Sequence, residues 1–163
     1  MLKIIIFLFV TLFGIGKIKK IPGSFASLAT TLFLFFLFHI LNTSPNIVLF
    51  SVIIIFFISL YAVNIFIKDL TNKDPKEVVI DEFIGQSIPI YLYEVVHAIP
   101  KETDQVLKFY FIMFILFRIF DIVKPYPASY YDKNFKNSFG VIMDDVCAGL
   151  YVVAILVLYM VFT

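Results

Sequence analysis

Four long apolar runs, Phe25 to Leu41, Asn46 to Ile67, Val106 to Val123 and Val146 to Phe162, decide what this chain can fold into. Each approaches the roughly 20 residues that a helix needs to cross a hydrocarbon core. With 61% hydrophobic and 15% charged residues, a water-soluble globule is excluded. The runs lack the period-2 alternation of barrel strands, and backbone groups in lipid must be paired within their own segment, so helix is the expected state. A fifth segment, Phe83 to Ile99, is apolar but interrupted by Gly85, Gln86, Pro89, Glu94 and His97. It reads as an irregular span facing protein on several sides. Met1 to Phe13 is short for a span and is followed by basic residues instead of a small-residue cleavage site, so a retained, partly inserted or interfacial helix is expected. The predicted fold is an all-α polytopic membrane bundle, one domain over residues 1–163.

Loop charges predict the orientation. Lys17, Lys19 and Lys20 precede the first clear span, Lys68, Lys73 and Lys76 follow the second, and Lys124, Lys133 and Lys136 follow Val106 to Val123. The intervening Asn42 to Pro45 carries no charge and shares its side with Lys101 to Lys108. The basic side is expected to be cytoplasmic. Three polar loops, Lys17 to Ser27, Asp69 to Gly85 and Asp121 to Asp145, then meet one membrane face, where they can build a shared site. The net charge of +1 offers no field for nucleic acid, so none is expected as a partner. A lone Cys147 in an apolar stretch excludes an intramolecular disulfide and reads as a core residue.

The chemistry rests with ionisable residues at span edges, where they are costly enough to face a cavity, a partner or a metal. Asp81 and Glu82 open the irregular span, Asp121 ends the span containing Arg118, and Asp144 and Asp145 sit in the last apolar run. Any one of these acids alone can simply cap a helix or meet headgroup water. Five together, with Arg118 and Lys124 as the nearby bases, favour a divalent cation. Oxygen-only ligands suit magnesium better than zinc, since no cysteine pair is present and neither His39 nor His97 falls near the cluster. Arg118, Asp121 and Lys124 recur every third residue, so they share a helix face until Pro125 ends it. Two cations and a carboxylate on one face suit a phosphate and its metal; the competing possibility is membrane anchoring with a local Arg118–Asp121 pair.

Gly14-Ile15-Gly16 and Ile21-Pro22-Gly23-Ser24 form a loop that can bring backbone amides to an anion, with Ser24 expected to cap the following helix. The loop lacks the nucleotide-binding GxxxxGK[ST] arrangement, and a plain turn is the alternative. No GxSxG elbow, no cysteine beside a base and no histidine near the acids point to a covalent nucleophile. Metal-assisted attack by water is the simplest remaining chemistry. Glu94, His97 and His39 read as structural polar residues.

In order along nearly the whole chain, these blocks resemble the phosphatidylglycerophosphatase A family. GIGKIKKIPGSFASL from Gly14 to Leu28 is similar to GxGxxPxxPGTxGSL, and DPKEVVIDEFIG from Asp74 to Gly85 resembles a block ending in V-x-D-E-x-x-G. FRIFDIVKPYP from Phe117 to Pro127, followed by GVIMDDVCAG from Gly140 to Gly149, resembles FRxxDxxKPxP and GxxxDDxxAG. Lys19, Ser24, Ala26 and Asn137-Ser138 depart from the pattern, but every carboxylate is kept. The resemblance implies a magnesium-dependent enzyme of the bacterial cytoplasmic membrane that releases the terminal phosphate of phosphatidylglycerophosphate at the cytoplasmic face. It further implies Asp81, Glu82, Asp121, Asp144 and Asp145 as metal ligands and general base, and Arg118 and Lys124 as phosphate-binding cations beside Gly23 and Ser24. Two other classes compete. A lipid-head-group phosphotransferase would need a D-G-x-x-A-R block, which is missing, and a cation transporter would need acids along the depth of its spans.

Overall fold

A computed structural model describes residues 2–68, 70–72, 75–96 and 102–162. Among these the regular structure is entirely helical: α1 (Leu2–Val10), α2 (Pro22–Phe35, continued by a π-helical turn Phe36–Ile40), α3 (Pro45–Ile67), α4 (Ile80–Val96), α5 (Thr103–Val123), α6 (Ala128–Asn134) and α7 (Ser138–Phe162), with a 3-10 turn at Ile15–Lys17. Three helices are long and apolar enough to cross a membrane, Pro22–Ile40, Pro45–Ile67 and Ser138–Phe162. The fourth expected span lies within α5, where Lys108, Arg118 and Asp121 lower its apolarity. Only 22% of the most apolar part of α3 is buried, and Phe50, Phe57 and Tyr61 point outward. A face this apolar and this exposed calls for lipid as its solvent.

Residues 83–96 of the expected irregular span lie on α4, the most enclosed of the described helices, which is not among those long and apolar enough to cross a membrane. Asp81, Gly85, Gln86, Ser87, Pro89 and Ile90 are all buried, with α7, α2, α5 and α3 packed around them. Enclosure by protein is what makes a proline and several polar residues tolerable at this depth. Pro89 removes the helical donor for the Gly85 carbonyl. That carbonyl instead abuts Gly149 of α7, where a Cβ would collide with it. Gly85 in turn lies against the backbone carbonyl of Asp145. Two glycines thus let α4 and α7 approach backbone to backbone, which carries Asp81 and Glu82 up to Asp145. On one side of α4 a core of Leu34, Ile90, Tyr110, Met113, Phe117, Ala148 and Val152 joins α2, α4, α5 and α7. On the other, Ile6 and Val10 of α1 pack with Ala62, Val63, Ile67, Val78 and Ile80.

Two local expectations need correction. Ser24 does not cap α2: the N-cap is Ile21 in the left-handed region with φ 48°, Pro22 opens the helix, and Ser24 lies within its first turn. Proline fixes its own φ for helix, so the chain enters one turn earlier than the apolar run suggests. The third loop, Asp121 to Asp145, is mostly helical, because α5 runs to Val123, α6 occupies Ala128–Asn134 and α7 starts at Ser138. The Asn137 side-chain oxygen accepts the Gly140 N–H at 3.0 Å, a polar cap that starts α7 well before its apolar run. The expected positions Asp69, Lys73, Asp74, His97 and Lys101 lie outside the described residues.

Candidate active site

At one end of the bundle a cavity of about 600 Å³ is bounded by the start of α2, the segment before α4, the end of α5 and the first half of α7. Asp81, Glu82, Arg118, Asp121, Lys124, Asp144, Asp145, Gly23 and Ser24 all line it. The cavity therefore collects the five acids, the two cations and the Gly23–Ser24 pair named for the site in the sequence. The local causes are separate. Ile80 opens α4, so Asp81 and Glu82 fall in its first turn, and Gly140, Ile142 and Ala148 sink α7 into the core and leave Asp144 and Asp145 at the cavity floor.

The five acids divide into two sets. Asp121 Oδ2 receives Arg118 Nη1 at 2.7 Å, as the i,i+3 spacing predicts. Asp144 Oδ2 receives Lys124 Nζ, which also donates to Asp132 Oδ1 at 3.0 Å. Asp81, Glu82 and Asp145 form the other set: one carboxylate oxygen of each lies within 4.8 Å of the other two. Arg118 reaches this set only at 3.8 Å from Glu82 Oε1. Asp81 and Asp145 are 7% and 3% exposed, and Glu82 Oε2 is buried with no hydrogen-bond donor among the described residues. Three clustered carboxylates, Asp81 and Asp145 buried and Glu82 partly so, repel one another as anions unless a proton or a metal cation stands among them. The orphaned Glu82 oxygen and the all-oxygen donor set fit a hard divalent ion.

Lys124 follows the last residue of α5 in the left-handed conformation, with φ 46° and ψ 62°. Glycine usually takes this position at a helix end, since a side chain is strained there. Here the turn directs an ammonium between α6 and α7. Burial works against the Lys124 charge, yet attraction to Asp144 and the hydrogen bonds to Asp144 and Asp132 raise its pKa above the ordinary lysine value. The charge is then fully present below about pH 10.4 and is lost only as pH rises through the higher folded value.

Gly23 brings the first turn of α2 against these groups. A Cβ there would collide with Glu82 Oε1 and stand 3.1 Å from Arg118 Nη1. Arg118 also donates to Ser27 Oγ at 3.4 Å and so links α2, α4 and α5. The arrangement offers first-turn amides, a guanidinium and an ammonium on the walls, above three acids on the floor. An anion with a metal counter-ion is its natural occupant.

Sequence reasoning missed Lys19, Lys76 and Asp132 as neighbours of the site. Lys19 and Lys76 read as loop charges because no periodicity relates them to the acids, and α6, which presents Asp132, was not legible. His39 and Glu94 stand apart from the cavity. Glu94 Oε1 lies 3.1 Å from His39 Nε2 and accepts the Tyr110 hydroxyl at 3.0 Å, which ties α2, α4 and α5 together away from the site. This matches their expected structural role.

Comparison with known proteins extends the picture. Residues 8–160 match the family model described as Phosphatidylglycerophosphatase A. The chain is 34% identical over 143 residues to a Haemophilus influenzae protein named Phosphatidylglycerophosphatase A, covering 88% of this chain and 81% of the relative. An Escherichia coli K12 protein of the same name is 30% identical over 146 residues, covering 88% and 77%. A Bacteroides thetaiotaomicron protein with the provisional name phosphatidylinositol-3-phosphatase is 34% identical over 146 residues, covering 85% and 83%. No solved structure matches the chain.

Proposed function

The chain belongs to the phosphatidylglycerophosphatase A family, and from that premise we propose that it hydrolyses the terminal phosphate monoester of phosphatidylglycerophosphate to phosphatidylglycerol and inorganic phosphate. The observation that carries the reading is the cavity in which Asp81 and Glu82 of the second sequence block meet Arg118, Asp121, Lys124, Asp144 and Asp145 of the third, beside Gly23 and Ser24 of the first. Asp81, Glu82 and Asp145 would hold magnesium, which supplies Lewis-acid neutralisation of the phosphoryl charge. Arg118, Lys124 and the first-turn amides of α2 at Gly23 and Ser24 bind the phosphoryl oxygens and fix their orientation. Asp121 and Asp144 hold the two cations in place. A carboxylate of the floor takes a proton from the attacking water as the new P–O bond forms. The ester P–O bond breaks, and the departing glycerol oxygen receives a proton. The positive-inside bias of the loop lysines supports the cytoplasmic face of a bacterial inner membrane as the side on which this cavity opens.

The test is phosphate release from phosphatidylglycerophosphate by the purified chain in neutral detergent, with magnesium and after chelation. Magnesium-dependent release with no nucleotide supports the hydrolase and excludes head-group transfer. The Bacteroides relative favours one further substrate arm, phosphatidylinositol 3-phosphate. Faster turnover of that lipid would reassign the head group while keeping the chemistry.

A further inference from the structure

The inner cations of the cavity are already engaged, Arg118 by Asp121 and Lys124 by Asp144 and Asp132. Two more cations line the same cavity, Lys19 before α2 and Lys76 before α4; both are exposed, and neither makes an ion pair among the described residues. They stand on segments that are fastened together. Lys17 Nζ meets Glu77 Oε1 at 3.6 Å, the Val79 N–H donates to the Val10 carbonyl at 2.9 Å, and Gly16 packs so closely on the Glu77 carbonyl that a Cβ would collide with it. Lys19 and Lys76 thus belong to one joined rim, while the acids of the floor belong to α4 and α7.

We infer that Lys19 and Lys76 form a second anion subsite, which binds the phosphodiester of the same lipid whose terminal monoester is cleaved. The inference rests on the lipid phosphatase reading and adds to it the basis of head-group selection. A head group that ends in a monoester and is joined to its diacylglycerol by a phosphodiester carries two anions separated by a short linker. With the monoester among the inner cations, the diester falls towards the mouth, where the two ammonium groups make no ion pair among the described residues. A lipid with one phosphate monoester directly on its diacylglycerol has no anion to place there. The subsite therefore distinguishes the two classes by charge spacing.

The test uses the full chain in neutral detergent, where attraction to an anionic membrane plays no part. Binding of glycerol bisphosphate and of glycerol monophosphate is measured by titration calorimetry with magnesium present, for wild type and for the Lys19→Gln, Lys76→Gln double variant. Wild type should prefer the bisphosphate by about tenfold or more, and the double variant should lose that preference with monophosphate affinity unchanged. The KM for phosphatidylglycerophosphate should rise by a similar factor. An undiminished preference in the variant overturns the subsite. So does an equal loss for both ligands, which would mean that the lysines set only the general field of the cavity. If wild type releases no phosphate from the lipid while still preferring the bisphosphate, the phosphatase reading fails and the two-anion site remains.

Discussion

Gly85→Ala probes the contact on which the site depends. An added Cβ would lie 2.5 Å from the Asp145 carbonyl oxygen and 2.7 Å from Cε2 of Phe117. The first is backbone and the second belongs to a fully buried ring, so neither can give way cheaply. Restoring ordinary contact, which begins at 3.4 Å, requires α4 and α7 to separate by about 0.9 Å. That displacement acts directly on Asp81 and Glu82 relative to Asp145, whose oxygens now lie within 4.8 Å. Overpacking of this kind costs about 1–3 kcal/mol of stability, which a well-packed bundle can survive. A 1 Å misplacement of reacting groups costs roughly 100-fold in rate. The expected result is a variant that inserts and purifies, with kcat/KM for phosphate release down by about two orders of magnitude and a higher magnesium concentration for half-maximal activity. Gly149→Ala approaches the same contact from α7, against the Gly85 carbonyl, and should act in the same direction. The double variant should fall short of the sum of the two effects, since one separation of α4 from α7 relieves both clashes. Turnover within about twofold of wild type, in a folded Gly85→Ala protein with an unchanged magnesium requirement, would refute the view that this glycine contact sets the geometry of the acids.

The remaining predictions address the metal, the cations, the distal polar cluster and the topology. Because Asp81, Glu82 and Asp145 crowd together with one oxygen orphaned, chelation should abolish turnover and magnesium should restore it; full activity in excess chelator would contradict the metal assignment. Lys124→Ala and Asp121→Asn should each lose roughly 2 to 4 kcal/mol of transition-state stabilisation while inserting normally, as measured by kcat/KM. Tyr110→Phe removes the donor to Glu94 away from the cavity, so it should lower thermal stability in detergent by about 1 kcal/mol and leave turnover alone; a large loss of turnover would link that cluster to the site. Single cysteines at Thr43, Asn72, Thr103 and Asn134 in a Cys147→Ser background, probed with an impermeant thiol reagent on intact cells, should label at Thr43 and Thr103 only. Labelling at Asn134 would place the Lys124 end of the cavity on the outer face.

Hydrophobic patterning was sufficient for the class of fold, because lipid leaves the backbone few alternatives: apolar runs must become helices that satisfy their own hydrogen bonds. The same cost of exposing polar groups to lipid made the acids conspicuous at Asp81, Glu82, Asp121, Asp144 and Asp145, and Arg118 and Asp121 could be paired from helical spacing alone. Helix boundaries were less legible where a backbone device outweighed hydropathy, as at Pro22 and at Asn137, which start α2 and α7 ahead of their apolar stretches. The division of labour among the acids belongs to tertiary structure. Adjacent Asp144 and Asp145 are indistinguishable as a sequence pair, yet one meets Lys124 and the other joins Asp81 and Glu82. Neighbouring helical side chains diverge by about 100°, and only the packing of α4, α5 and α7 around them determines what each one meets. Lys19 and Lys76 illustrate the same limit, since their place on the cavity rim depends on the contact of two loops far apart in the chain. A local pattern records what a residue costs in lipid, whereas its partner is set by long-range packing that no single segment encodes.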